Sequence, residues 1–122
     1  MNKNLILVID DDDVLRGVVA DLLADEFPGF EVMDASNGSL GLKIIHSRVP
    51  VVVISDVHMP EMGGLEVLKR VKEEFLEIGV ILMSGEMSKK EAERLSIDFF
   101  LSKPFVAEDL TAMVDKIISK GR

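Results

Sequence analysis

Segments of two kinds alternate along this chain, and their order limits its fold more than any other feature. One kind is short, continuously apolar and rich in β-branched residues, and it covers residues 5–9, 51–54 and 80–83. A strand with one exposed face alternates apolar and polar residues, so these unbroken runs predict strands that are buried on both faces, as in a parallel sheet. Residues 30–33 and 99–101 predict two weaker strands at the edges of that sheet.

The other kind of segment has the spacing of an amphipathic helix. Near the C-terminus, apolar side chains recur at i, i+3, i+4, i+7 and i+8, and they are Leu110, Met113, Val114, Ile117 and Ile118. Similar spacing predicts helices over residues 14–23 and 65–75, and Ser88 followed by Glu91 predicts a capping box that starts another. The whole order predicts five successive βα units. Right-handed crossovers then place a parallel sheet between two layers of helices, an α/β fold.

Length and composition exclude several classes of protein. A chain of 122 residues predicts a single domain over residues 1–122, without a second module. A net charge of -8 disfavours direct binding to nucleic acid, because the phosphate backbone would be repelled. The lack of cysteine excludes disulfides, thiol catalysis and zinc sites built on cysteine. No apolar run approaches the roughly 18 residues of a membrane span, so we expect a cytoplasmic protein without membrane insertion.

Polar side chains follow four of the predicted strands. Four aspartates, residues 10–13, come after the first strand, and Asp56, Ser84 and Lys103 come after the third, fourth and fifth. In sheets of this kind the reactive groups collect at the carboxyl ends of the strands, beside the point where the strand order reverses. If the central strands are neighbours, carboxylates, a hydroxyl and an ammonium meet in one cup. Such a set predicts phosphoryl transfer.

The carboxylates of this cup also predict a bound cation. Two carboxylates about 4 Å apart repel by roughly 4 kcal/mol at an effective dielectric constant of 20. A cluster that contains Asp10, Asp11 and Asp56 therefore favours a positive ion among its members. Hard oxygen ligands without any cysteine favour Mg²⁺ as that ion.

Four motifs, in this order, give the chain its resemblance to a known family. They are the acidic pair in Ile9-Asp10-Asp11, Asp56 with Met59-Pro60 and Gly63-Gly64 behind it, Ser84 at the end of an apolar strand, and Lys103-Pro104-Phe105. With them, essentially the whole chain resembles a response-regulator receiver domain of the standalone, chemotaxis-regulator-like type. The resemblance implies a flavodoxin-like, doubly wound (βα)5 fold with strand order 2-1-3-4-5 and no output domain.

The resemblance also implies a role for each residue of the cup. Asp56 would be the phosphoacceptor, taking a phosphoryl group from a sensor histidine kinase or a phosphotransfer protein. Asp11, Asp56 and the backbone carbonyl of His58 would bind Mg²⁺ directly, and Asp10 would act through a bound water. Lys103 and the metal would neutralise the charge of the phosphoryl oxygens. The Ser84 hydroxyl would donate a hydrogen bond to one of these oxygens. Together these groups would promote both phosphorylation and hydrolysis.

The resemblance further implies a conformational switch and residues that control the lifetime of the phosphorylated state. Movement of Ser84 toward a new phosphate would let Phe100 rotate inward. Phenylalanine lacks a hydroxyl that could hold an outward rotamer, so we expect the inward state to be populated before phosphorylation. His58 and Glu86 occupy positions that influence how fast water reaches the acyl phosphate, in a direction that the sequence leaves open. The Lys103–Pro104 peptide is expected to be cis.

Two departures from the usual pattern of the family bear on these expectations. Ser84 and Lys103 are 19 residues apart, about one helical turn less than is usual, which predicts a fourth helix that is short or displaced. This helix forms part of the common output face, so the partner cannot be inferred from the family. Gly63 stands where an aspartate is frequent, which affects the turn rather than the chemistry.

The favoured function is a signalling switch, a non-enzyme that controls a separate protein, and two alternatives stay open. One is a haloacid-dehalogenase-like phosphatase, in which Asp10 would be the nucleophile. That class needs a further acidic pair after the lysine, and only Glu108 and Asp109 remain there. The other is a receiver-like binding module that is never phosphorylated. The cognate kinase, the downstream target, the lifetime of the phosphorylated state and the oligomeric state are not determined by the sequence.

Overall fold

Five strands and five helices alternate in residues 4–120, the part of the chain that the computed structural model describes. The strands are β1 (Asn4–Ile9), β2 (Phe30–Ala35), β3 (Val52–Asp56), β4 (Gly79–Ser84) and β5 (Phe99–Ser102). The helices are α1 (Asp13–Glu26), α2 (Gly38–Ser47), α3 (Gly64–Glu74), α4 (Lys89–Arg94) and α5 (Ala107–Lys120). None of these helices combines the length and the apolar composition needed to span a bilayer.

All five strands are parallel, and their order is β2-β1-β3-β4-β5, which confirms the predicted fold. The chain passes from β1 to β2 on one side and then crosses to β3 on the other side of β1. The strand order therefore reverses between β1 and β3, where open α/β sheets have a crevice at the carboxyl ends. Asp56 is itself the last residue of β3, and Ser84 is the last residue of β4.

Each face of the sheet carries its own buried cluster, which explains the unbroken apolar runs. Ile6 and Val8 of β1 point into a cluster under α1 and α5, whereas Leu7 and Ile9 point into a cluster under α2 and α3. Successive side chains of a strand point to opposite faces, so a sheet covered on both faces needs apolar residues at every position. The core thus lies in two layers around a central sheet.

Local capping sets where the helices begin. The Asp12 side chain accepts hydrogen bonds from the N–H groups of Val14 and Leu15, both at 3.1 Å, and so starts α1. The predicted capping box is present, because Ser88 accepts from the Glu91 N–H and the Glu91 side chain accepts from the Ser88 N–H. Helix α4 has only six residues, which confirms the expectation of a short fourth helix.

Candidate functional site

The acidic pair lies where β1 ends, beside the reversal in strand order. Asp10 has 1% of its surface exposed, and its N–H donates to the carbonyl of Ala35 over 3.1 Å. One of its carboxylate oxygens, Oδ1, accepts from the Asp12 N–H at 3.0 Å. Asp11 is exposed at the rim. The pair therefore combines one buried and one accessible carboxylate.

Asp56 reaches the same crevice from the neighbouring strand. It is buried, with 7% of its surface exposed, and the Lys103 ammonium lies 2.8 Å from its Oδ1. The same ammonium lies 3.6 Å from Oδ2 of Asp10. Lys103 follows β5, and its N–H donates to the Ser84 carbonyl at 2.8 Å, which ties the loop after β5 to the end of β4. The predicted meeting of carboxylates and ammonium is thus present.

Three carboxylates are placed to share a cation. Asp10, Asp11 and Asp56 each offer an oxygen, and these oxygens all lie within 4.8 Å of one another. Oδ2 of Asp10 is buried, and it has no hydrogen-bond partner among the described residues. A buried carboxylate oxygen without a hydrogen bond is costly unless a cation compensates it. The Lys103 ammonium, 3.6 Å away, is the one cation that this oxygen meets in the described residues, and it also serves Asp56. Three carboxylates beside a single ammonium leave room for further positive charge, and their oxygen donors fit Mg²⁺.

Burial and the charges of the site together shift the pKa values of Asp10 and Lys103. Burial raises the pKa of Asp10, and the charges of Asp56 and Asp11 add to this effect against the opposing Asp12 N–H and Lys103. Burial alone would lower the pKa of Lys103, but its hydrogen bond to Asp56 and the charges of Asp10 and Asp56 raise it. Lys103 is therefore cationic at neutral pH, and further positive charge would stabilise the ionised form of Asp10.

Ser84 lies at the same edge of the sheet, one residue after the partner of Asp56 in the β3–β4 register. Its hydroxyl oxygen accepts hydrogen bonds from the N–H groups of Glu86 at 3.0 Å and Met87 at 2.8 Å. Within residues 4–120 the hydroxyl donates to no acceptor. Since both lone pairs are engaged, the O–H group is free to donate to a ligand in the crevice.

The loops after β3 and β4 approach each other through two exposed side chains. Nε2 of His58 lies 3.9 Å from Oε2 of Glu86. His58 and Glu86 come two residues after Asp56 and Ser84, respectively, so the pair bridges the loops that follow the two central strands. The Lys103–Pro104 peptide is cis, as expected.

Phe100 lies in the edge strand β5 and is half-buried. Its ring packs against the cluster under α2 and α3, and it also lines a groove of about 600 Å³ that runs along β5 and α5. Met113 and Lys116 of α5 line the same groove. Phe100 therefore lies between the core and the surface formed by α4, β5 and α5.

Arg16 is a residue of the site that the sequence analysis did not single out. One of its terminal nitrogens, Nη1, donates to the backbone carbonyl of Asp10 at 2.8 Å and also lies 2.8 Å from Oδ1 of Asp13. Its Nε donates to Oδ2 of Asp34, at the end of β2, over 3.1 Å. An arginine one turn into a helix that begins with aspartates was the available signal. Its contact with Asp34 spans 18 residues and depends on the fold.

The comparison with known proteins agrees with the geometry of this site. The response regulator receiver domain family matches residues 6–115 of the chain. The DNA-binding transcriptional regulator NtrC of Escherichia coli K12 is 32% identical over 123 residues, which cover 98% of this chain and 26% of NtrC. The histidine kinase P4 of Formosa agariphila is 31% identical over 121 residues, which cover 95% of this chain and 9% of the kinase. The chain thus spans about a quarter or less of these curated relatives.

Solved structures also show similarity to response regulator receiver domains. A response regulator receiver domain protein from Clostridium thermocellum is 30% identical and superposes with a TM-score of 0.84, covering 97% of this chain and 96% of that one. The strand order, the acidic crevice and the family match over residues 6–115 all lead to one assignment. The chain belongs to the response regulator receiver domain family of two-component signalling.

Proposed function

We propose that this chain accepts a phosphoryl group on Asp56 in a Mg²⁺-dependent reaction and then controls a separate protein. The observation that carries the proposal is the convergence on Asp56, where the Lys103 ammonium lies at 2.8 Å and two further aspartates offer oxygens within 4.8 Å. The donor would be a phosphohistidine on a sensor kinase or a phosphotransfer protein. The chain spans only part of its relatives, so the kinase, the target and any further domain belong to this proposal.

In the proposed reaction, a carboxylate oxygen of Asp56 attacks phosphorus and forms an acyl phosphate. The phosphorus–nitrogen bond of the donor breaks, and the imidazole leaves with its electron pair. Asp11, Asp56 and the His58 carbonyl would hold Mg²⁺, with Asp10 acting through a water. Bound there, the metal supplies positive charge to the phosphoryl oxygens.

Lys103 and Ser84 would stabilise the same oxygens from the protein side. The Lys103 ammonium now neutralises the Asp56 carboxylate. That carboxylate loses its charge when it becomes the mixed anhydride of the acyl phosphate, so the ammonium would then turn toward the phosphoryl oxygens. The Ser84 hydroxyl, whose oxygen is held by the N–H groups of Glu86 and Met87, has its proton free for a phosphate oxygen. These groups would assist hydrolysis as well as transfer, without turnover of a free substrate.

The switch would run from Ser84 to Phe100. Movement of Ser84 toward the phosphate would displace the loop after β4, and Phe100 would rotate inward beside it. The half-buried position of this ring supports the proposal, and Phe100 rotamers in free and beryllofluoride-bound crystals test it. An identical rotamer distribution in both crystals would contradict it. We assign His58 and Glu86, whose side chains approach to 3.9 Å, to the control of water access.

Chemical mapping of the phosphorylated residue tests the acceptor. The protein is incubated with acetyl phosphate and Mg²⁺, the acyl phosphate is trapped with borohydride, and the modified residue is located by mass spectrometry. We expect the modification on Asp56 and its loss in Asp56→Asn, with the fold retained. Modification of Asp10, which is 1% exposed, would support the phosphatase alternative, and no modification with any phosphodonor or beryllofluoride would support a binding module.

A further inference from the structure

Arg16 connects three elements around the acidic pair. From the first turns of α1 its guanidinium reaches the end of β1, through the Asp10 carbonyl, and the end of β2, through Asp34. The side chain is largely buried, with 17% exposed. A guanidinium has several N–H donors in one plane, so a single arginine can serve Asp10, Asp13 and Asp34 together.

The carbonyl that Arg16 binds lies just beyond the sheet. The register of β1 with β2 ends at Ile9 and Ala35, and its register with β3 ends at Ile9 and Ser55. The Asp10 carbonyl therefore has no strand partner, and Arg16 supplies its donor at 2.8 Å. This carbonyl belongs to the peptide that joins Asp10 to Asp11. The bond consequently restrains rotation of that peptide.

Asp11 depends on this restraint more than its neighbours do. Asp10 is held through its own N–H and its Oδ1, and Asp56 is held by Lys103. In the part of the chain that the structure describes, the Asp11 carboxylate has no hydrogen bond and no ion pair. Its place within 4.8 Å of the other two carboxylates therefore depends on its backbone and on its own rotamer, without help from a side-chain partner.

We propose that Arg16 is a positioning residue for the cation site: its bond to the Asp10 carbonyl fixes the peptide between the two aspartates and so places the Asp11 carboxylate. This role rests on the proposed function, in which Asp11 is a ligand of Mg²⁺. Partners that orient metal ligands commonly change metal affinity 10- to 100-fold when they are removed.

Electrostatic repulsion alone predicts the opposite change in Mg²⁺ affinity when Arg16 is replaced. Arg16 is a cation beside a site for a cation, so loss of its charge without any change of geometry would tighten Mg²⁺ binding. Positioning predicts weaker binding when the guanidinium is lost. The direction of the change in affinity therefore separates the two roles.

The experiment measures Mg²⁺ affinity without a phosphodonor in the wild type, Arg16→Met, Arg16→Lys and Arg48→Met. The chain has no Trp or Tyr, so backbone amide NMR follows the titration. Arg48→Met is the charge-matched control, because Arg48 pairs with Glu31 near the amino end of β2, away from the acidic crevice. We expect binding about tenfold weaker in Arg16→Met. The loss should be smaller in Arg16→Lys, since lysine keeps one donor for the carbonyl, and absent in the control.

A second readout distinguishes placement of Asp11 from general damage. Labelling of Asp56 by acetyl phosphate should be slow in Arg16→Met at low Mg²⁺ and close to the wild-type rate at saturating Mg²⁺. Unchanged or tighter Mg²⁺ binding in Arg16→Met overturns the proposal, and so does a labelling defect that Mg²⁺ does not rescue. If Arg16→Met does not fold, unchanged affinity in Arg16→Lys overturns it. Failure of the wild type to bind Mg²⁺ instead refutes the proposed function.

Discussion

At the residue scale, Gly64 shows how closely the backbone of one element approaches the candidate site. Gly64 is the first residue of α3, and its N–H donates to the Val57 carbonyl at 3.0 Å. A Cβ at this position would overlap the carbonyl oxygen of Asp56 and would lie 3.0 Å from a methyl group of Leu82. The start of α3 can therefore pack under Asp56 only without a side chain.

We expect Gly64→Ala to lower the free energy of unfolding by about 1–3 kcal/mol, because the overlap forces backbone shifts in a packed region. The shift involves Asp56 itself, so labelling by acetyl phosphate should also slow. Urea denaturation followed by circular dichroism measures the first effect. Gly17→Ala is the matched control: a Cβ there meets nothing within 4 Å in the middle of α1, and alanine should stabilise the helix by up to about 1 kcal/mol. Equal effects of the two substitutions would contradict this explanation.

At the element scale, His46 joins α2 to α3. Its Nδ1 lies 2.8 Å from the Leu42 carbonyl, and its Nε2 lies 2.6 Å from Oε2 of Glu74. Both partners are acceptors when Glu74 is ionised, so only the protonated imidazole can donate at both ends. The Leu42 carbonyl first, and Glu74 second, raise the pKa of His46, whereas Arg70 opposes them. Phe75 packs against the ring, with the centroids 5.6 Å apart.

The raised pKa predicts a pH-dependent link between these helices. The stabilisation should be fully present below the unfolded-state pKa of 6.5 and should be lost as pH rises through the higher folded-state value. Urea denaturation of the wild type and His46→Gln between about pH 6 and pH 9 measures the contribution of His46 to the free energy of unfolding. NMR of the His46 ring gives its pKa. The difference in stability between the two proteins should shrink as pH rises. A difference that is constant over this range would contradict the link.

At the scale of the whole molecule, two segments distant in sequence, residues 10–11 and the end of β3, bring together three carboxylates that could hold a cation, so a bound cation should stabilise the fold. We expect the free energy of unfolding to rise with Mg²⁺, by about 2.7 kcal/mol at a concentration 100 times the dissociation constant. Asp11→Asn should remove most of this increase. In the absence of Mg²⁺ it should stabilise the protein slightly, because the Asp11 carboxylate has no partner in residues 4–120 and its charge repels Asp10. Asp25→Asn makes an equal change of charge on the exposed surface of α1, and this variant should keep the stabilisation by Mg²⁺. Equal Mg²⁺ dependence in both variants would argue against Asp11 as a ligand.

Sequence reasoning was sufficient for much of the architecture. The apolar runs predicted β1, β3 and β4 because burial on both faces leaves a local pattern. The Ser84–Lys103 spacing, compared with what is usual in the family that the chain resembles, predicted that α4 is short or displaced. The bounds were less certain: Val51 lies outside β3, and β3 continues to Asp56. No spacing was assigned to α2, a ten-residue helix, although the βα order required a helix there. A single domain over residues 1–122 and the roles of the individual site residues stay predictions.

The sequence by itself determined the order of strands and helices, and it indicated which strand ends carry Asp10, Asp56, Ser84 and Lys103, because burial and helical periodicity are properties of neighbouring residues. Only the tertiary structure decided that Arg16 binds the Asp10 carbonyl and that His46 meets Glu74. Those contacts join residues 6 and 28 positions apart through atoms whose meeting depends on how the helices pack on the sheet. The spacing of apolar and polar residues in a sequence indicates which side chains are buried, but it does not indicate which donor bonds to a given carbonyl or carboxylate.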